Sequence, residues 1–365
     1  MAVKADACFP LCLPFLTATS PVKKAILENP QIFQNCKYKN NFPLMMAKAH
    51  AAAIQNRPLP GIQTPRAVLE WSKRVEKAGE CMHPLTEYPR PAMRRDSYEN
   101  LNGPWQYAIT ASAQRPAGWD GEILVPYAPE CRASGVGRTL QPGQWLHYHR
   151  YFAPPAGTGG RVLLHFGAVD YACAVQVNGH LVGGHRGGYW PFTLDITAQL
   201  NGTGRNSLWV AVQDPTGHGT QARGKQTLQP GGMFYPAQSG IWQTVWLERV
   251  PDCYVQELTI TPDVPTRTVR FAVSVSSDCL VTFRVTADGR EVALARNTAV
   301  HHQASVTLKL PEEALHCWSP DDPFLYDVEV SLPEDKVESY FAMRQWTCQP
   351  DAHGIPRFCL NGQPI

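Results

Sequence analysis

The chain has 365 residues, 44% apolar and 18% charged, a size that predicts two or three domains with substantial cores. A formal net charge of +2 gives no global electrostatic case for nucleic acid or for an anionic membrane, and no run of eighteen apolar residues exists to span a bilayer. Eleven cysteines lie scattered without zinc-type spacing, so they read as reduced thiols, mostly core filler, which leans toward a reducing compartment and a cytoplasmic location.

Residues 1–87 read differently from the rest, as an N-terminal extension that is partly helical to disordered. The apolar stretch from Cys8 to Ala18 imitates a signal-peptide core, but Pro10 and Pro14 interrupt it and Asp6 weakens its positive flank. Phe42 to Asn56 and Pro65 to Ala78 are helix-compatible. In the second of these, Val68, Leu69, Trp71 and Val75 recur at helical spacing, and Pro65 can start it.

From Tyr88 the chain becomes strand and turn. Trp105 to Ile109 alternates, Gly121 to Val125 runs into Pro126, and Arg161 to Phe166 is a strong strand. Ala174 to Val177 leads into Asn178-Gly179, a type I′ turn signal, with Leu181-Val182 as the returning partner. Leu208 to Val212 is short and wholly apolar, as expected of a strand buried on both faces. Residues 239–248 read as one extended strand, with Ile241, Val245 and Leu247 on one side and Trp242 and Trp246 on the other. Such a strand needs cover on both faces. Short strands with long irregular loops over 88–250 predict a jelly-roll β-sandwich.

After Pro251 the alternation becomes regular. Val255–Thr261, Thr268–Val275, Leu280–Ala287, Glu291–Ala295, Ser305–Leu310, Leu325–Leu332 and Val337–Met343 read as strands, with Asp288-Gly289 as a hairpin turn. This predicts an immunoglobulin-like β-sandwich over 251–346, without the antibody Cys–Trp–Cys arrangement. The fold class is therefore all-β, two sandwiches in series. Residues 347–365 form a tail in which Phe358–Leu360 and Asn361-Gly362 read as a strand and a turn. The returning strand is expected to be missing at Ile365, which points to a polypeptide that continues.

Several runs together resemble glycoside hydrolase family 2, the family of β-galactosidase, β-glucuronidase and β-mannosidase. They include Tyr88-Pro89-Arg90-Pro91 with Arg94 and Asp96, Leu101-Asn102-Gly103-Pro104-Trp105, and Val177-Asn178-Gly179. Others are Gly187-Gly188-Tyr189 with Pro191-Phe192, Gly224-Lys225-Gln226, and Ser239-Gly240-Ile241-Trp242-Gln243. Trp318-Ser319-Pro320, Phe341-Ala342-Met343-Arg344 and Phe358-x-Leu360-Asn361-Gly362-x-Pro364 complete the series, with Ala342 where the family usually has glycine. The resemblance covers roughly 88–365. It implies a sugar-binding jelly roll, an immunoglobulin-like sandwich, and a following (β/α)₈ barrel that carries both catalytic glutamates. A barrel needs about 250 residues, and the Asn-Glu dipeptide of the family's acid/base does not occur here. The chain is thus expected to be the non-catalytic part of a retaining β-glycosidase, inactive alone, its partners a β-glycoside and the catalytic barrel.

Retaining hydrolysis needs two carboxyls about 5–5.5 Å apart. Asp214 ends an apolar strand before Pro215, and Glu130 sits in the Pro129–Ser134 loop. Their plain reading is a turn-stabilising Asp and a solvated Glu. The resemblance makes Asp214 a sugar contact and Glu130 a further candidate. Lys225 and Gln226 could donate to sugar hydroxyls or pin their loop on the barrel. Tyr189 and Trp190 could stack on a pyranose, but a corner of the core fits their Gly-Gly and Pro neighbours better. His147 and His149 share one strand face without a third ligand nearby, so no metal site is expected, nor any cofactor. No catalytic residue is assigned. The competing reading is a free-standing carbohydrate-binding or adhesion module, which both sandwich types can host.

Overall fold

The computed structural model describes residues 84–202 and 204–365, so the helix-compatible segments and the apolar stretch near the N-terminus lie outside the described residues. The first sandwich is built from β1 (Tyr98–Asn100), β2 (Gly103–Thr110), β3 (Gly121–Val125), β4 (Trp145–Phe152), β5 (Arg161–Phe166), β6 (Val169–Asp170), β7 (Ala172–Val177), β8 (His180–Arg186), β9 (Phe192–Asp195), β10 (Asn206–Gln213), β11 (Gln226–Thr227), β12 (Tyr235–Pro236), β13 (Gly240–Ile241) and β14 (Val245–Val250). A six-stranded sheet in the order β3-β2-β4-β10-β7-β8 faces a four-stranded sheet in the order β1-β14-β5-β9. Ile123, Leu146, Tyr148, Val175, Val210 and Val212 from the first sheet and Val162, Leu164, Phe166, Val245 and Leu247 from the second form one buried core.

The Leu101–Trp105 motif has a packing role. Both end residues are buried, and the Trp105 indole N–H donates to Leu101 O at 2.8 Å. Arg150 closes the turn by donating to Leu101 O (2.7 Å) and Asn102 O (3.1 Å). The Asn178-Gly179 turn joins β7 to β8 with φ of 51° and 84°, the left-handed pair that a type I′ hairpin requires. Central β10, between β4 and β7, is buried on both faces as expected. On its outer face Trp209 stacks on His147, while His149 stacks on Trp119. His147 is paired with Thr110 Oγ1 and Ser112 O, and His149 with Gln106 and Ser207, so the two imidazoles are core groups with protein partners.

The single strand expected over 239–248 is two. Gly240–Ile241 pairs with β6, the chain then bends through 242–244, and Val245–Val250 pairs with β1 and β5. Gly240 enters the short pairing at a left-handed φ of 78°, and the change of sheet follows at 242–244. Ile241, Val245 and Leu247 share the core as read, but Trp242 leaves the strand and donates its indole N–H to Gly188 O at 2.8 Å.

The second sandwich holds β15 (Val255–Asp263), β16 (Thr268–Val275), β17 (Leu280–Ala287), β18 (Arg290–Thr298), β19 (Gln303–Lys309), β20 (Tyr326–Ser331) and β21 (Lys336–Phe341). Its sheets run β15-β16-β19 and β18-β17-β20-β21. The fourth strand thus pairs with the third, across from its place in an immunoglobulin constant domain. Phe271, Phe283, Tyr326 and Phe341 fill the core between the sheets. The tail forms β22 (Trp346–Pro350), β23 (Pro356–Leu360) and β24 (Gln363–Pro364). The expected half-hairpin is therefore a short whole one: Asn361-Gly362 reverses the chain at φ of 51° and 81°, and Leu360 pairs with Gln363.

The outer face of β14 is covered by a buried ionic cluster. Glu248 has no solvent exposure, and it accepts from Tyr88 and, at 2.7 Å, from Arg90. His165 Nε2 lies 3.0 Å from the same carboxylate. Arg95 reaches Glu248 at 3.4 Å and grips Asp335, in the turn between β20 and β21, through two bonds of 3.0 and 2.8 Å. Burial alone would raise the Glu248 pKa; the His165 contact and the nearby Arg90 and Arg95 outweigh it and hold the carboxyl down at about 2. A depressed folded-state pKa contributes stability that is complete above the ordinary carboxylate value and lost as pH falls toward the folded one. The stability advantage of the native chain over Glu248→Gln should therefore be full above about pH 4.5 and shrink toward pH 2. Urea midpoints measured across that window check it; a difference independent of pH would contradict it.

Candidate functional site

The far end of β10 places Asp214, and Glu130 joins it through Ser239. The strand ends at Gln213, and Pro215 prevents its continuation, so Asp214 turns inward. Asp214 is buried. Its Oδ1 accepts from the Thr216 backbone N–H at 2.7 Å, which closes an Asx turn around Pro215. Its Oδ2 accepts from the Ser239 hydroxyl at 2.8 Å.

Ser239 is the junction. Its backbone N–H donates to Glu130 Oε2 at 3.1 Å while its hydroxyl binds Asp214. Glu130 is buried, not solvated, and its other oxygen accepts from the Leu140 N–H at 3.2 Å. Burial pushes the Glu130 carboxyl up, and the N–H groups of Ser239 and Leu140 among others pull it partly back. Both Glu130 oxygens thus tie loops together beneath the surface.

Above this junction lies a small open cleft lined by Asp170, Asp214, Thr216, Gln221, Arg223, Gln226 and Gln238. Gln226 sits on β11, which pairs in parallel with β12 through Tyr235. Its amide oxygen is buried and makes no hydrogen bond within the described residues. Such an acceptor in a cleft suits a hydroxyl or amide donor from outside. Lys225, beside it, does not line the cleft, and its carbonyl accepts from the Tyr235 N–H at 2.9 Å. Arg223 and Gln221 both donate to Thr216 O, at 3.2 and 3.0 Å, and so fold the loop back over Asp214.

Sequence reasoning missed Asp170, Gln221, Gln238 and the junction at Ser239. Asp170 ends the two-residue β6 and pairs with Gly240. A Cβ at Gly188 would fall on the Asp170 carboxylate, so the Gly187-Gly188 pair of the motif permits that close approach. This was the available signal for Asp170. Trp190 does not occupy a corner of the core; it is 73% exposed.

Two carboxylates share the cleft, but the cleft does not enclose them, and a guanidinium lies among them. Among the described residues no three His, Cys, Asp or Glu side chains gather as a metal site, and no helix is long and apolar enough to cross a membrane.

Residues 138–244 match the model of the "Glycosyl hydrolase 2 galactose-binding domain-like" family and residues 253–344 that of "Glycosyl hydrolases family 2". A putative β-glucuronidase of Formosa agariphila is 29% identical over 311 residues, 76% of this chain and 34% of that protein. A β-galactosidase of Thermoanaerobacter pseudethanolicus is 25% identical over 218 residues, 57% of this chain and 28% of that protein. The chain thus spans about a third of the length of these curated relatives. Among solved structures, Faecalibacterium prausnitzii β-glucuronidase superimposes with a TM-score of 0.57 at 24% identity, covering 78% of this chain and 50% of that one. Bifidobacterium dentium β-glucuronidase, solved with coumarin-3-O-glucuronide, gives 0.57 at 21% identity, covering 74% and 52%.

Proposed function

This chain belongs to glycosyl hydrolase family 2, and we propose that it is the non-catalytic, sugar-site-shaping part of a retaining β-glycosidase. In this reading residues 88–250 and 251–346 act as two modules that support a catalytic barrel. Asp214 and Gln226 present an acceptor pair to the hydroxyls of a bound β-glycoside, Arg223 and Gln221 hold the loop, and Lys225, outside the cleft, pins that loop on the barrel. Glu130 acts one layer below, through Ser239.

The observation that carries the proposal is the partnerless Gln226 oxygen beside Asp214 in one cleft. A sugar hydroxyl supplies the missing donor and can itself accept from a neighbouring amide. The chain by itself is expected to give no turnover of nitrophenyl β-galactoside, β-glucuronide or β-mannoside. When it is joined to a family barrel, Asp214→Ala should raise KM about tenfold with the fold retained, as expected for one lost hydrogen bond to a charged group. Turnover by the chain alone would overturn the non-catalytic assignment, and unchanged kinetics would remove Asp214 from the site.

One feature favours the second reading, a free-standing carbohydrate-binding module. Trp190 is bare enough to stack on a pyranose face. Calorimetry of the chain with glucuronides and galactosides separates the two: millimolar or tighter binding that disappears in Trp190→Ala supports the module.

A further inference from the structure

The link between the sandwiches carries a cysteine that meets another from the second sandwich. Cys253 lies between β14 and β15, and Cys279 immediately precedes β17. Val255 pairs with Val275, and the ladder continues outward through Ser276 N–H to Tyr254 O at 3.0 Å. One step further Cys253 stands opposite Ser277, and its Sγ lies 3.7 Å from Ser277 O. Cys279 is two residues beyond Ser277, at the end of the bend that leads into β17. Both side chains pack on the same apolar core, and the Cys279 thiol is in contact with the Cys253 thiol.

Each backbone flank is held. The Ser276 hydroxyl donates to Asp252 O (2.7 Å) and accepts from the Tyr254 N–H (2.9 Å), fixing Cys253 between them. Asp278 accepts from the His302 N–H at 2.7 Å and the His301 N–H at 3.2 Å, and Cys279 O accepts from the Ala299 N–H at 2.8 Å. Both thiols thus sit on chains braced by hydrogen bonds, with Cys253 Sγ 3.7 Å from the carbonyl of Ser277, two residues before Cys279. Both residues are partly exposed, so a small oxidant reaches them.

We propose that Cys253 and Cys279 are an oxidisable pair, converted to an intramolecular disulfide by low-molecular-weight disulfides such as oxidised glutathione. The Cys253 thiolate attacks the reagent, forming a mixed disulfide and releasing one glutathione thiolate. Cys279 loses its proton and attacks the Cys253 sulfur, forming the protein disulfide and expelling the second glutathione. Two electrons leave the protein, and the reagent disulfide is reduced to two thiols that carry the two protons the cysteines give up. Burial first, and the neighbouring thiol second, push the Cys279 thiol up to about 12, so the closing step is slow at neutral pH and faster in mild base. The bond ties the inter-sandwich link to the edge of β17.

The test uses the full chain. After incubation with oxidised glutathione at neutral and mildly alkaline pH, free thiols are alkylated and the digest is mapped by mass spectrometry. A cross-linked peptide pair containing Cys253 and Cys279 is expected, absent from Cys253→Ser and Cys279→Ser and present in Cys317→Ser. The oxidised chain should melt roughly 5 °C or more above the reduced one. Cys253 recovered as a stable glutathione adduct with Cys279 alkylated, Cys253 bound to another cysteine, or both thiols unreacted in mild base would overturn the proposal.

Discussion

Arg95→Ala is expected to lower the unfolding free energy by about 3–5 kcal/mol, the typical cost of leaving a buried charge without its partner. Arg95 is itself 5% exposed. Its guanidinium makes a two-bond fork with Asp335, donates to Val255 O at 2.7 Å, and stands 3.4 Å from Glu248. Asp335 also takes the Val255 N–H at 2.8 Å, so one carboxylate organises the first strand of the second sandwich and meets a residue that touches the first. Truncation strands Asp335 in the interior with one backbone donor from Val255. Glu248 is cushioned by Tyr88 and Arg90, so most of the cost falls on Asp335. Asp335→Ala should cost a similar amount, and the double variant much less than the sum, because the second substitution removes the charge that the first exposed. The two sandwiches are also expected to separate into two unfolding transitions once the shared group is gone. Guanidinium denaturation followed by tryptophan fluorescence checks both; a midpoint that does not move for Arg95→Ala, or strict additivity, would show that the cluster contributes little.

Gly240→Ala is expected to cost about 3 kcal/mol and to disorganise the cleft at the same time. Two separate penalties meet there. The φ of 78° disfavours any residue with a Cβ by about 1–2 kcal/mol. A Cβ would also fall on Tyr148 Oη and come within 2.9 Å of Leu146 Cδ2, in a core with no room to give. Tyr148 Oη accepts the Ile241 N–H at 3.1 Å, so moving the ring breaks that bond as well. Moving the chain instead displaces Ser239, and with it the link between Glu130 and Asp214. Gly232→Ala is the control, since its φ of 59° carries strain but the space around it is open. Thermal unfolding gives the stability difference, and amide exchange at Ser239 and Ile241 reads the junction. Protection of those two amides unchanged in Gly240→Ala would defeat the argument.

The elements that sequence made legible are the ones whose signal is local. Asn178-Gly179, Asp288-Gly289 and Asn361-Gly362 each announced a reversal, and each has the paired positive φ the turn demands. The alternation in Thr268–Val275 placed Val269, Phe271, Val273 and Val275 in one core, as period two requires. Trp105 and Leu101 were identifiable as a motif, and the short bond between them shows why both are needed. Failures came where a run left its sheet or faced something distant. Residues 239–248 look continuous because Ile241, Val245 and Leu247 share one core, yet the chain bends at 242–244 and passes from the pairing with β6 to the neighbouring sheet. Trp190 looked like packing because of its neighbours, and nothing in those neighbours states that the next layer is solvent.

Sequence by itself determined the all-β class, the two sandwiches and the hairpin positions, because strand period and turn chemistry are written over a few residues each, while the family was carried by its motif runs. Tertiary structure alone decided that Glu130 and Asp214 meet at one serine 109 and 25 residues away, and that Glu248 is a buried ion rather than the solvated end of a strand. A carboxylate has the same identity in a loop, a cleft or an interior. Only the pairing of distant strands fixes which N–H groups and cations surround it, and those surroundings set its charge, its partners and its use.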